Sequence, residues 1–80
     1  MDICKGMLVY SKAGRDKGKI FIVLDTENDL VYLSDGETRH VKNPKKKKIK
    51  HIMQTNTVLK LDFDNISDSD VKKAILDYFS

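Results

Sequence analysis

The chain has few of the residues on which disulfide, metal and membrane chemistry depend. Of its 80 residues only Cys4 is a cysteine, and tryptophan is absent. One thiol cannot close an internal disulfide, and a cysteine-based zinc site lacks its other thiolates. Cys4 is therefore expected to be a free thiol. His40 and His51 stand apart from any cysteine, so neither a metal nor a cofactor is expected. No apolar run approaches the roughly 20 residues that cross a bilayer. Residues 1–6 show no basic segment leading into an apolar one, so no secretory signal is visible. These absences predict a cytoplasmic protein with no membrane partner. Catalysis is not expected either. Cys4, Ser11 and the histidines form no nucleophile–base arrangement, and a chain this short encloses no sizeable pocket for a small-molecule substrate.

What is present suits one small domain. Apolar residues make up 40% of the chain and come in short blocks, enough for a single core. The formal charge of +3 hides a segregation: residues 1–56 hold 12 Lys/Arg against 7 Asp/Glu, whereas residues 57–80 hold 3 against 5. The densest stretch is residues 39–51, where Arg39, Lys42, Lys45, Lys46, Lys47, Lys48 and Lys50 meet no acid. Such a cluster repels itself, and a polyanion that sheds its own counterions on contact is the natural partner.

Punctuation by glycine, proline and polar clusters predicts strands in the first half. Met7 to Tyr10 is a short apolar run that enters a polar loop, Ser11-Lys12-Ala13-Gly14-Arg15-Asp16-Lys17-Gly18. Ile20 to Leu24 is β-branched and aromatic without alternation, so it reads as a central strand covered on both faces, closing at residues 25–29. Leu30 to Leu33 is a third strand, Asp35-Gly36 a hairpin turn, and Thr38 to Val41 the return strand. Asn43-Pro44 ends that pairing and leaves the lysine run in a connection. Leu59, Leu61 and Phe63 alternate with Lys60, Asp62 and Asp64, which predicts a last, half-exposed strand. A helix is expected from Ser67, where Ser67 and Asp70 have the spacing of a capping box. Val71, Ala74, Ile75, Tyr78 and Phe79 form its apolar stripe, expected to dock on the outer face of residues 20–24.

The segment from Gly6 to Lys19, with Gly14-x-Asp16-Lys17-Gly18-Lys19 at its centre and Ile20 to Leu24 after it, resembles the KOW motif of ribosomal and transcription-factor proteins. With Asp35-Gly36, Arg39 and the tract from Asn43 to His51, it is similar to small bacterial KOW-domain RNA-binding proteins related to the large-subunit ribosomal protein fourteen-e. The resemblance covers residues 6–55. It implies a five-stranded SH3-like (KOW) barrel; with the C-terminal α-helix packed on it, which rests on the sequence pattern alone, the expected fold is mainly β. Residues 1–56 would form the barrel with its basic loop, and residues 57–80 the last strand and helix of the same domain. It also implies RNA binding, with ribosomal RNA the usual ligand and ribosomal proteins as further partners.

On this reading the RNA-binding residues are Lys12, Gly14, Arg15, Lys17, Gly18 and Lys19 of the first loop, with Arg39, Lys42, Lys45, Lys46, Lys47, Lys48 and Lys50. Glycines let a backbone approach a sugar-phosphate chain, although a tight turn alone would also require them. Lysines suit phosphates, whereas base reading favours arginine, so recognition of shape and backbone is expected over sequence. A solvated charged loop or a nuclear import signal are the competing readings of the lysine tract. Reversing Lys45 to Lys48 to glutamate is expected to abolish binding with little change in melting. The alternative function is a protein–protein interaction module of a translation or transcription complex, held through the barrel or the acidic C-terminal segment. Tyr10, Phe21, Tyr32 and Phe63 are expected in the core rather than as a stacking platform, and Tyr10, beside the basic loop, is the one to test for stacking on bases.

Overall fold

The computed structural model describes residues 2–80. Five antiparallel strands form one sheet: β1 (Met7–Ser11), β2 (Ile20–Glu27), β3 (Leu30–Ser34), β4 (Lys45–Lys48) and β5 (Ile52–Val58). A single α-helix, α1 (Asp68–Tyr78), follows. The strand order is β4-β3-β2-β1-β5, which puts β2 at the centre as its unbroken apolar run predicted. Among the described residues no ladder joins β4 to β5, so the sheet is not closed. Those two edges are nevertheless separated in sequence only by the 3-10 turn Ile49–His51, which forces the sheet to curl. Register shifts at Leu24 in β2 and at Leu8 against β5 supply local bends of the kind that steepen such a curl.

Alternation along the strands sorts the apolar residues onto two faces. Met7, Val9, Phe21, Val23, Val31, Leu33 and Ile52 pack inside the curl. Leu8 and Ile22 point the other way, where Val71 and Ile75 of α1 cover them. The helix begins where expected: the Ser67 hydroxyl accepts from the Asp70 N–H, and the Asp70 carboxylate accepts from the Ser67 N–H. An 11-residue helix is marginal alone, and burial of Val71 and Ile75, roughly 1.5–3 kcal/mol each, holds it in place.

Several boundaries differ from the sequence reading, each for a local reason. β2 runs on to Glu27, because a two-residue turn at Asn28-Asp29, with Asn28 at φ 56°, carries it directly into β3. Thr38 to Val41 is not the return strand. The Asp35 carboxylate accepts the N–H groups of Glu37, Thr38 and Arg39 and the Thr38 hydroxyl, and this coils residues 35–39 into a turn whose donors are no longer free for a ladder. The lysine run is not a connection but β4 itself, paired with β3 from Leu30↔Lys48 to Leu33↔Lys45. The last strand is Ile52–Val58 rather than residues 59–63. Leu59, Leu61, Phe63 and Ile66 still pack against the outer-face core, but Asp62 turns the chain by accepting from Asp64 and Asn65. The helix stripe docks over its first two turns only: Phe79 stays 60% exposed and Tyr78 also faces solvent.

Candidate nucleic-acid interface

The first loop, residues 12–19, joins β1 to β2 and is tied at its base. Ser11 donates its N–H to Lys19 and accepts from Gly18 through its carbonyl (3.0 and 2.9 Å). Within the loop a 3-10 turn spans Gly14–Asp16, and Gly14 and Gly18 hold φ of 77° and 85°. Both values lie where a side chain is disfavoured, so the conformation itself requires glycine. At Gly18 an added Cβ would meet nothing within 4 Å, so that residue faces open space and not a packed neighbour.

The loop's one acid is removed from its surface. Asp16 is buried, and Arg39 Nη2 lies 3.0 Å from its carboxylate. What remains outside is cationic: Lys12, Arg15, Lys17 and Lys19 are all exposed. Lys12 and Lys17 flank a shallow depression with Tyr10, Ser11, Gly18 and Met53, while Lys19 lies on the helix side with Ile20, Glu37 and Leu76.

The second group of expected site residues is divided. Arg39 is committed to Asp16, and its backbone is held too: its N–H goes to Asp35 and its carbonyl accepts the Ser34 hydroxyl at 2.6 Å. Along β4 the pleat splits the lysine tract between faces. Lys45 and Lys47 lie opposite Leu33 and Val31, on the inner side, and Lys47 donates to the Ala13 carbonyl at 2.9 Å, bracing the first loop. Lys46 and Lys48 project from the outer side, Lys46 5.9 Å from the ring centre of Tyr32. The four therefore do not form one clamp. β4 is also an edge strand, and lysines there guard against pairing with another chain. Lys42 and Lys50 are exposed.

Loop and tract meet at one seam. Lys47 touches the loop at Ala13, and the Lys12 N–H donates to the His51 carbonyl at 2.8 Å. The positive surface is thus centred on residues 12–19, with the start of β5 beside it. Met53 was not legible as part of this region because its strand was placed later in the chain. It pairs with Tyr10 across β1 and β5 and is 56% exposed.

Two carboxyls at the seat of the helix have lowered pKa values, and one of them, Asp35, lines the same depression as Lys19. Burial raises Asp35, but hydrogen bonds from the Thr38 hydroxyl and from the N–H groups of Arg39, Glu37 and Thr38 outweigh it. Asp68, the first residue of α1, is lowered by the Val41 N–H and by His40, whose Nδ1 lies 2.9 Å from the carboxylate. Both are clasps on the turn that seats the helix. Among the described residues no cluster of three or more His, Cys, Asp or Glu could hold a metal, and no helix is long and apolar enough to cross a membrane. No protein-family model matches the chain, and no curated protein matches it in sequence.

Proposed function

We propose that this chain is a non-catalytic RNA-binding module of the KOW type, built as an SH3-like barrel, that docks on structured RNA through phosphates. Ribosomal RNA is the ligand class, in the cytoplasm, with ribosomal proteins as neighbours. The observation that carries the reading is the state of the first loop: four exposed cations on two positive-φ glycines, with the only carboxylate buried and paired. Phosphates are attracted to such a surface and meet no competing acid within the loop. The barrel reading draws support from the curled five-stranded order and from the 3-10 turn between the two edge strands. The interface is narrower than composition suggested. It centres on Lys12, Arg15, Lys17 and Lys19, while Lys42, Lys46, Lys48 and Lys50 add a longer-range positive field.

The test is charge reversal. Changing Lys12, Arg15, Lys17 and Lys19 to glutamate abolishes binding to an RNA hairpin and leaves the thermal melt nearly unchanged; a variant that still binds as the parent does contradicts the proposal. Crosslinking in cells with sequencing of the attached RNA then identifies the ligand, and enrichment of ribosomal RNA is the expected result.

A protein-interaction role is the second reading, favoured by one observation. Leu76 and Phe79 at the far end of α1 are 59% and 60% exposed, more apolar surface than a helix end needs. Its signature is ribosome co-sedimentation that survives high salt and is lost in a Leu76→Asp/Phe79→Asp variant with unchanged RNA affinity.

A further inference from the structure

The outer face of the sheet is roofed over Leu8 and Ile22 and open two residues further along. Tyr10 occupies that open position on β1, directly across from Ile20 on β2 and from Met53 on β5. The roof of α1 and residues 59–66 packs on the Leu8–Ile22 side, and Met53 is left 56% exposed with Tyr10 half-buried beside it. Together with Ser11, Lys12, Lys17 and Gly18 they line one shallow depression of about 540 Å³. Its lining is largely apolar and includes Tyr10 and Met53, with Lys12 and Lys17 lining it too. The bare backbone of Gly18 keeps one wall low, since no side chain projects there and nothing packs against it.

We infer that this depression is a stacking site for one unpaired nucleobase, with Tyr10 and Met53 as the platform and Lys12 and Lys17 on the phosphates to either side of it. The inference rests on the RNA-binding reading and sharpens it, from phosphate attraction in general to a strand that presents an extruded or loop base. The charge pattern selects the occupant. A shallow, largely apolar depression lined by an aromatic residue and two lysines, with no acid among its lining residues, suits a planar group carried on an anionic chain, which describes a nucleotide within RNA. Tyr10 is suited to the part because it is half-buried between its cross-strand neighbours Ile20 on β2 and Met53 on β5, so less side-chain freedom is lost when a base covers it. Met53 adds a polarisable surface that adapts to either purine or pyrimidine. The hydroxyl of Tyr10 is not needed for stacking, and the site is expected to tolerate Tyr10→Phe.

The experiment compares two polyanions, an RNA hairpin with a loop of adenylates and inorganic polyphosphate of matched charge, which carries no bases. The parent protein binds the hairpin more tightly than the polyphosphate. Tyr10→Leu, which keeps apolar bulk on the sheet, lowers hairpin affinity by about 10- to 100-fold, as expected when a stacked base loses its ring, and leaves polyphosphate affinity unchanged. Met53→Gln, at an exposed position that does not threaten folding, gives a smaller loss of the same selectivity, and Tyr10→Phe gives none. Equal weakening on both probes, or no weakening on the hairpin from either Tyr10→Leu or Met53→Gln, overturns the stacking site while leaving phosphate binding in place. Failure of the parent to bind the hairpin at all removes the RNA-binding reading and the stacking site with it.

Discussion

The guanidinium of Arg39 reaches the carboxylate of Asp16 at 3.0 Å, across 23 residues of sequence, and this pair decides which charges the first loop presents. Asp16 is only 4% exposed and Arg39 keeps about a third of its side chain in solvent. Breaking such a pair from one side strands the other charge in a poor dielectric. Arg39→Gln should therefore lower unfolding free energy by roughly 1–3 kcal/mol, less than for a fully enclosed pair because water reaches the arginine. The midpoint of urea unfolding measures it. The loop cations remain free in the folded fraction, so RNA affinity at low temperature should change little.

The lysine tract should divide by face. Lys47 braces the loop through the Ala13 carbonyl, so Lys47→Glu loses that contact and places an acid beside Gly14, lowering both stability and RNA affinity. Lys46→Glu and Lys48→Glu, on the outer side of an edge strand, should stay within about 0.5 kcal/mol of the parent in stability. A thermal melt of each single variant checks the alternation. Reversing all four lysines at once should then cost stability through the loss of the Lys47–Ala13 contact.

Two glycines with similar backbone angles should respond differently to alanine. Gly36 has φ 76° and its missing Cβ is where the Asp68 carbonyl and Lys72 N–H of α1 approach, so Gly36→Ala must push the helix away. Gly18 has φ 85° and open space, so Gly18→Ala bears only the left-handed backbone cost of about 1–2 kcal/mol. Urea unfolding should rank Gly36→Ala as clearly the more damaging of the two.

The helix is seated by two side chains. Ile75→Ala should cost about 2–4 kcal/mol, which for a domain of this size lowers Tm by at least about 8 °C. Phe79→Ala, at a residue 60% exposed, should change Tm by no more than a few degrees.

Acid should loosen the same end of the fold. Asp35 and Asp68 both sit below their ordinary value of 3.8 when folded. A carboxyl with a lowered folded pKa stabilises fully above its unfolded pKa, and that contribution disappears as pH falls through the folded one. Stability should be level above about pH 5 and decline below about pH 4, with Asp35→Asn flattening the decline. Unfolding midpoints across a pH series give the slope directly.

How far the chain could be read without coordinates depended on the range of the forces involved. The central strand, its doubly covered faces and the helix with its Ser67–Asp70 cap were legible, because apolar runs and capping are local signals. The Asp35 turn was not: one carboxylate gathering three N–H groups competes with a hairpin that uses the same residues, and nothing in the Asp-Gly pair says which wins. Four consecutive lysines gave no strand signal, since β4 exists through its ladder with β3 rather than through its own side chains. Within the candidate interface the loop cations were evident, whereas the withdrawal of Arg39 to Asp16 and the pairing of Met53 with Tyr10 are long-range facts that appear only in the folded chain.

The most direct test of the central claim is the salt dependence of binding to an RNA hairpin. With the four loop cations neutralising phosphates of unpaired strand, the plot of log affinity against log salt should fall with a slope of about −2.8, and each removal among Lys12, Arg15, Lys17 and Lys19 should make it shallower by about 0.7. A flat line, or a slope that these substitutions leave untouched, would mean that the first loop is not where this protein meets RNA.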